Sequence, residues 1–181
     1  PLECIRLLLP DCTVFCSLFM TQLQEKIKLL AKEQSARVIG HRRHLHSNPE
    51  LSFEEFKTAE YVAKELRAIG LQPQEGFAGT GVVALVEGRN PESRVVGLRA
   101  DMDALPILEA NDVPYKSLVP GVMHACGHDV HNSSLLGTAE ILYKLRDEFE
   151  GTVKLVFQPA EEKAPGGASL MITEGVLENP R

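Results

Sequence analysis

The alternation of helical and strand-like segments is the feature that most constrains the fold of this chain. Apolar residues recur with helical spacing in three segments, residues 23–45, 59–69 and 129–146. Shorter segments rich in Val and Leu have the character of buried strands, at residues 81–86, 94–100 and 152–157. Helices that alternate with apolar strands predict an α/β fold, in which a mixed sheet is flanked by helices.

Local capping signals predict where the first two helices begin and end. Thr21 and Gln24 have the spacing of a capping box, so we expect the first helix to begin there. Ser52 and Glu55 have the same spacing and predict the start of the second helix. Gly70 predicts its end, because glycine adopts the left-handed conformation that closes many helices.

The first 19 residues differ in composition from the rest of the chain. They are rich in Leu, Cys and Phe, but Pro10 and Asp11 interrupt the apolar stretch and no small-residue cleavage site follows it. These features disfavour a secretory signal. We therefore expect residues 1–19 to be a non-native or upstream extension, Met20 to be the natural start, and the protein to be cytoplasmic.

The overall composition excludes several classes of partner. The chain has 181 residues and a formal net charge of −6, which disfavours binding to nucleic acid. No apolar run approaches the roughly 20 residues that a membrane-spanning helix needs. Hydrophobic residues make up 44% of the chain and charged residues 24%, as in ordinary globular proteins. We expect a globular protein whose partner is a small molecule, with no nucleic acid and no membrane.

Acidic side chains follow two of the predicted strands at their carboxyl ends. Asp101 and Asp103 follow one strand, and Glu161 and Glu162 follow another, after an intervening proline. Ligands of open α/β sheets bind beyond the carboxyl ends of the strands. These four carboxylates therefore mark the expected position of a site.

A segment between these two strands carries further metal-binding side chains. Residues 124–131 contain three histidines, one cysteine and one aspartate. Cys126 and His128, taken with Glu161 and Glu162, offer sulfur, nitrogen and oxygen donors to one or two divalent ions. The adjacent carboxylates suit a division of labour, in which one binds the ion and the other takes a proton from the attacking water.

Two aspartates are candidates for orienting a metal-binding imidazole from behind. We expect Asp103 and Asp129 to accept a hydrogen bond from such a ring. Each has a simpler alternative role, because aspartate is common in turns and at helix N-caps. For Asp129 the N-cap of the helix that follows is as good an interpretation.

Four stretches of the chain together resemble the M20 metallopeptidase family. They are RRHLHSNPELS at 42–52, LRADMDALP at 98–106, HACGHD at 124–129 and FQPAEE at 157–162. The resemblance covers about residues 37–181 and is strongest to the amidohydrolases of N-acyl amino acids, including hippurate hydrolase and the indole-acetyl-amino-acid hydrolases. It implies part of a di-metal exopeptidase-like catalytic domain.

The resemblance also implies an activity and roles for particular residues. The implied reaction is hydrolysis of the amide bond of N-acyl amino acids or related small peptide-like substrates, of the aminoacylase or carboxypeptidase type. Cys126, His128 and Glu162 match metal ligands, with the thiolate bridging two ions, and Glu161 matches the general base. The ions would be Zn, Mn, Co or Ni, and the complete enzyme a monomer or homodimer.

The family has two further histidine ligands later in the chain, and a dimerisation domain. This sequence has no histidine after His131. Residues 20–181 are therefore expected to be the N-terminal portion of the catalytic domain, binding metal weakly and inactive alone. Asp101, His124 and His131 are the donors within this chain that would substitute for the missing ligands.

Two other functions remain open from the residues alone. Cys126 could act as the nucleophile of a cysteine hydrolase, with a histidine as its base. Alternatively, the chain could be a non-catalytic metal-binding module. Inactivation by a chelator would indicate a metalloenzyme, and inactivation by a thiol alkylator without metal would indicate a cysteine nucleophile.

Overall fold

The computed structural model describes the backbone of residues 12–178 and Pro180, and the side chains of residues 22–178 and Pro180. The chain divides into two compact units, one ending at Gln34 and one beginning at Ser35. The described part of the first unit is helical, with an exposed ion pair of 2.7 Å between Lys28 and Glu25.

Helix α1 spans Cys12–Ser47, so the prediction that a helix begins at Thr21 is wrong. Thr and Gln are tolerated inside helices, and a capping box marks a start only where the preceding backbone is not helical. Residues 1–11, with the first part of the expected extension, lie outside the described residues. The end of α1 falls just before Asn48, whose side-chain amide donates to the backbone carbonyl of His44 at 2.8 Å.

Helix α2 spans Phe56–Ile69 and ends at Gly70 (φ 107°), as the sequence predicts. Its predicted apolar face is buried at Ala59, Val62, Ala63 and Leu66. The prediction of a capping box formed by Ser52 and Glu55 is wrong, however. Glu55 occupies the N-cap, and its side chain makes no capping hydrogen bond. The Ser52 hydroxyl donates instead to Asp103, and the Glu55 carboxylate accepts from Thr80 and Ala160, so partners distant in sequence replace the local cap.

Within residues 12–178, four strands form one mixed sheet in the order β1-β2-β4-β3. Their bounds are β1 Gln74–Phe77, β2 Gly81–Glu87, β3 Val95–Asp101 and β4 Thr152–Gln158. β2 pairs antiparallel with both β1 and β4, whereas β3 and β4 are parallel. The mixed sheet of the predicted fold class is confirmed. β1 was not expected, because its short, largely exposed sequence lacks an apolar pattern.

Helices cover both faces of the sheet. Helix α3 spans His128–Lys144 and helix α4 spans Gly167–Thr173. The helices α2 and α3 pack against one face in the main hydrophobic cluster, around Phe157 and Leu155 of β4. Met171 of α4 packs with Val83 in a second cluster, on the opposite face. Within residues 12–178, none of the helices combines the length and apolar character that crossing a membrane requires.

Candidate metal centre

The parallel pairing of β3 with β4 brings the two acidic strand ends to one edge of the sheet. Asp101 is the register partner of Gln158, and the backbone N–H of Met102 donates to the Gln158 carbonyl at 2.9 Å. Helix α3 begins with His128, which also lies at this edge. The residues that the sequence placed after separate strands therefore lie together in the fold.

His128 lies at the centre of this group and is buried. Its Nδ1 lies 2.8 Å from the backbone carbonyl oxygen of Asp103 and 3.2 Å from Asp103 Oδ1, so Nδ1 is the nitrogen that carries a proton. Its Nε2 lies 4.0 Å from a carboxylate oxygen of each of three residues, Asp101, Glu161 and Glu162. This distance is too long for a hydrogen bond, and it is about the upper limit for two donor atoms that bind the same ion at about 2 Å.

Cys126, His128 and Glu162 form one group of potential metal ligands. One donor atom from each lies within 4.8 Å of the other two. Cys126 is exposed and carries a free thiol. A hydrogen bond with Glu162 and, to a smaller extent, burial and the neighbouring carboxylates raise the pKa of this thiol. The combined sulfur, nitrogen and oxygen donors fit a borderline divalent ion.

Asp101, His128 and His131 form a second group within the same 4.8 Å limit. The Nδ1 atom of His131 lies 3.7 Å from Asp101 Oδ2, and the His131 side chain is about half exposed. The two groups share His128, and its Nε2 can bind only one ion. They are therefore overlapping parts of one centre rather than two independent sites.

His124 lies outside both groups, although the sequence offered it as a donor. Its side chain is buried, and neither ring nitrogen has a hydrogen-bond partner among the described residues. Burial is the main reason why its pKa falls to about 4, so the ring is neutral near pH 7.

Asp103 contacts His128 from behind, on the side away from the facing carboxylates. Its Oδ2 accepts hydrogen bonds from the Ser52 hydroxyl at 2.6 Å and from the Glu162 backbone N–H at 2.9 Å. Burial alone would raise the pKa of Asp103, but bonds from His128, Ser52 and Glu162 together keep it well below its usual value. An ionised Asp103 is thus the acceptor behind His128.

Asp129 contacts a different imidazole from the expected one. Its Oδ2 lies 2.7 Å from Nδ1 of His46 and 2.9 Å from Nε of Arg42. The imidazole that it contacts is therefore that of His46 and not that of His128. The N-cap of α3 is Gly127, so the alternative capping role is not observed either. His46 Nε2 lies 3.1 Å from Glu109, so this buried ring bridges two carboxylates. Nothing in the spacing of the sequence indicated either contact of His46.

This chain is similar in sequence to known proteins. Residues 97–181 match the model of peptidase family M20/M25/M40. An N-acyl-L-amino acid amidohydrolase of Geobacillus stearothermophilus is 50% identical over 155 residues, covering 86% of this chain and 42% of the relative. An IAA-amino acid hydrolase of Arabidopsis thaliana is 45% identical over 176 residues, covering 95% of this chain and 40% of the relative.

A solved structure is similar as well. The Bacillus subtilis YXEP protein, described as a dinuclear metal binding peptidase from the M20 family, superposes with a TM-score of 0.76 at 44% identity. The match covers 81% of this chain and 41% of that protein. The chain thus spans about two fifths of the length of the relatives that it matches.

Proposed function

Because the chain belongs to peptidase family M20/M25/M40, we propose that it forms part of the catalytic centre of a metal-dependent amide hydrolase. The proposed substrates are N-acyl amino acids, the class in the name of the Geobacillus stearothermophilus relative, or related small peptide-like molecules. One observation carries the proposal: Asp103 accepts from Nδ1 of His128, while Nε2 faces three carboxylates at 4.0 Å.

The proposed ligands are Cys126, His128 and Glu162, whose donor atoms lie within 4.8 Å of each other. This set suits Zn, Mn, Co or Ni. When bound, the ions supply Lewis acidity that polarises the scissile carbonyl and makes water a better nucleophile. Two ions need more donors than these three residues, and Asp101 and His131 lie close enough to contribute.

Glu161 is the proposed general base. It lies outside the two ligand groups, its side chain is 41% exposed, and Oε2 lies 4.0 Å from His128 Nε2. A carboxylate at that position can take a proton from the attacking water and return it to the leaving amine. The neighbouring Glu162 is less exposed, at 24%, and its backbone N–H is bound by Asp103. The two carboxylates therefore differ in their surroundings, as different roles require.

The cysteine-nucleophile alternative is weaker on this geometry. A nucleophilic cysteine needs a lowered pKa, because the thiolate is the reactive form. Here a hydrogen bond with Glu162 raises the pKa of Cys126, and the neighbouring carboxylates Glu161, Glu162 and Asp101 raise it further. The thiol is better suited to release its proton to the solvent as it binds a metal ion than to pass it to a histidine.

The test is made on the protein in its longest natural form. Dialysis against a chelator should abolish hydrolysis of N-acyl amino acids, and Zn, Mn, Co or Ni should restore it. Activity that survives the chelator and disappears on thiol alkylation would contradict the proposal and favour the cysteine nucleophile. Bound metal without hydrolysis of any amide would favour a metal-binding module. The cytoplasmic location and the monomeric or dimeric state remain predictions.

A further inference from the structure

Ala160, which precedes Glu161, has an unusual backbone conformation. Its φ is +47°, in the left-handed region that residues other than glycine seldom adopt. Its N–H donates to Glu55 Oε1 at 2.7 Å, and its carbonyl accepts from the N–H of Gly167 at 2.9 Å. A conformation of this kind persists only where the surroundings fix it, and here both peptide groups of Ala160 are bound.

Glu55 supplies the partner of the Ala160 N–H from a position 105 residues earlier in the chain. Its side chain is fully buried, and its second oxygen accepts from the Thr80 hydroxyl at 2.7 Å. Burying a carboxylate is costly unless hydrogen bonds compensate for the lost water. The Glu55 side chain makes no capping hydrogen bond to α2, so stabilisation of this helix does not explain why a carboxylate is buried at this position.

The other side of Glu161 is bound in a similar way. The N–H of Glu162 donates to Asp103 Oδ2, which also accepts the Ser52 hydroxyl. The segment 52–55 therefore reaches the backbone on both sides of Glu161, directly through Glu55 and indirectly through Asp103.

We propose that Glu55 is a positioning residue for the Glu161–Glu162 pair, acting through its hydrogen bond to the Ala160 N–H. This inference rests on the proposed metal centre for its functional meaning. Ala160 stands between the end of β4 and the two carboxylates, so its backbone conformation sets the direction in which both side chains leave the strand. Glu55 itself contacts neither Glu161 nor Glu162 by any hydrogen bond found among the described residues.

Substitutions of Glu55 separate hydrogen bonding from charge. In Glu55→Gln the amide oxygen still accepts from Ala160, and the NH₂ group can donate to Thr80. In Glu55→Ala both partners lose their acceptor. The conservative Glu55→Gln variant should therefore behave like the original protein, whereas Glu55→Ala should release the segment that carries Glu161 and Glu162.

The experiment uses the full chain and two readouts. Amide hydrogen exchange, followed by NMR without metal, reports on Ala160 and Glu162, with Val83 and Leu155 as reports on the sheet. Titration with Co²⁺, followed by its thiolate charge-transfer absorption, reports on the metal centre. There are two matched controls. Glu60→Ala removes an exposed carboxylate from α2, the helix that Glu55 precedes. Thr80→Val removes the hydroxyl group that donates to Glu55.

We expect Glu55→Ala to lose exchange protection at Ala160 and Glu162 while Val83 and Leu155 stay protected. Its Co²⁺ affinity should fall by about 10–100-fold, the usual effect of removing a group that supports a ligand. Glu55→Gln, Thr80→Val and Glu60→Ala should keep the protection at Ala160.

Two results would overturn the inference. Protection and Co²⁺ affinity unchanged in Glu55→Ala would mean that Glu55 does not position the pair. Equal losses in Glu55→Gln and Glu55→Ala would mean that the charge matters rather than the accepted hydrogen bond. If Glu55→Ala does not fold, Glu55→Asp replaces it, because a side chain one methylene shorter cannot keep both contacts. If neither the unsubstituted chain nor the protein in its longest natural form binds Co²⁺, the proposed metal centre fails, while the exchange data still decide the role of Glu55.

Discussion

Nδ1 of His128 lies 2.8 Å from the backbone carbonyl oxygen of Asp103, and this contact decides which ring nitrogen is available to an ion. The Asp103 side chain adds a second acceptor at 3.2 Å. A proton on Nδ1 leaves the lone pair of the neutral ring on Nε2, the atom that faces three carboxylates. The tautomer and the direction of the imidazole are thus set before any metal binds.

Asp103→Asn should weaken metal binding, because the new amide can place an N–H group against the N–H of His128. Loss of such a supporting acceptor typically costs about 10–100-fold in affinity. Isothermal titration with Zn²⁺ measures the effect, and Asp112→Asn, at an exposed position, is the matched control. An affinity equal in both variants would show that the backbone carbonyl alone orients the ring.

Metal affinity should depend steeply on pH. Burial by itself would lower the pKa of His128, but the side-chain and backbone acceptors of Asp103 raise it to about 8. Below that pH an ion must displace a proton from the ring, so the metal affinity falls about tenfold for each unit by which the pH is lowered. The pKa of the Cys126 thiol is also raised. Because this thiol must lose its proton to bind the ion, the affinity falls more steeply still.

The slope of log affinity against pH between pH 6 and 8 tests this expectation. It should approach two for the unsubstituted protein, because two donors lose a proton on binding. It should fall to about one in Cys126→Ser, in which only His128 titrates. A flat profile in this range would mean that neither group is protonated before the ion binds.

Glu161→Gln and Glu162→Gln should have different consequences in the protein in its longest natural form. Glu161→Gln should reduce turnover by at least about 10²-fold with metal content unchanged, since it removes only the proton acceptor. Glu162→Gln should lower the metal content, because an amide is a poorer ligand than a carboxylate. Metal analysis beside initial rates distinguishes them, and the reverse pattern would show that the two roles are assigned backwards.

The sequence predicted the features of this fold that depend on local pattern. The apolar face of α2 and the strands β2, β3 and β4 follow from periodicity and composition. The meeting of the strand ends follows from general properties of α/β sheets. β1 was missed because four mostly exposed residues carry no such pattern; its place is set by pairing with β2.

The contacts behind the metal centre were predictable only in part. Ser52 and Glu55 have capping-box spacing, but their side chains bind Asp103, Thr80 and Ala160, which are distant in sequence. A local rule cannot anticipate partners that only the folded chain brings near. The same applies to His46, which lies 83 residues from its partner Asp129 and satisfies that carboxylate in place of the expected metal-binding ring.

Cys126→Ser should weaken metal binding sharply. A thiolate is a stronger donor to borderline and soft divalent ions than a neutral hydroxyl, which keeps its proton. The thiol is exposed, so the change leaves the packing of the core intact. Zn²⁺ affinity at pH 8 measures the loss, with the melting temperature of the metal-free variant as the control for folding. An unchanged affinity would exclude Cys126 from the ligands.

Removal of residues 1–19, leaving a chain that starts at Met20, should change neither stability nor metal binding. The described residues among those deleted, 12–19, belong to the unit that ends at Gln34, whereas the sheet and every proposed ligand belong to the unit that begins at Ser35. The deletion takes eight residues from α1, since the helix begins at Cys12, but a helix that loses its first two turns can start again at a later residue. Thermal unfolding and Zn²⁺ titration of the two chains, side by side, provide the measurement. A melting temperature lower by more than about 5 °C, which for a domain of this size corresponds to over 1 kcal/mol, would show that the extension is part of the folded protein.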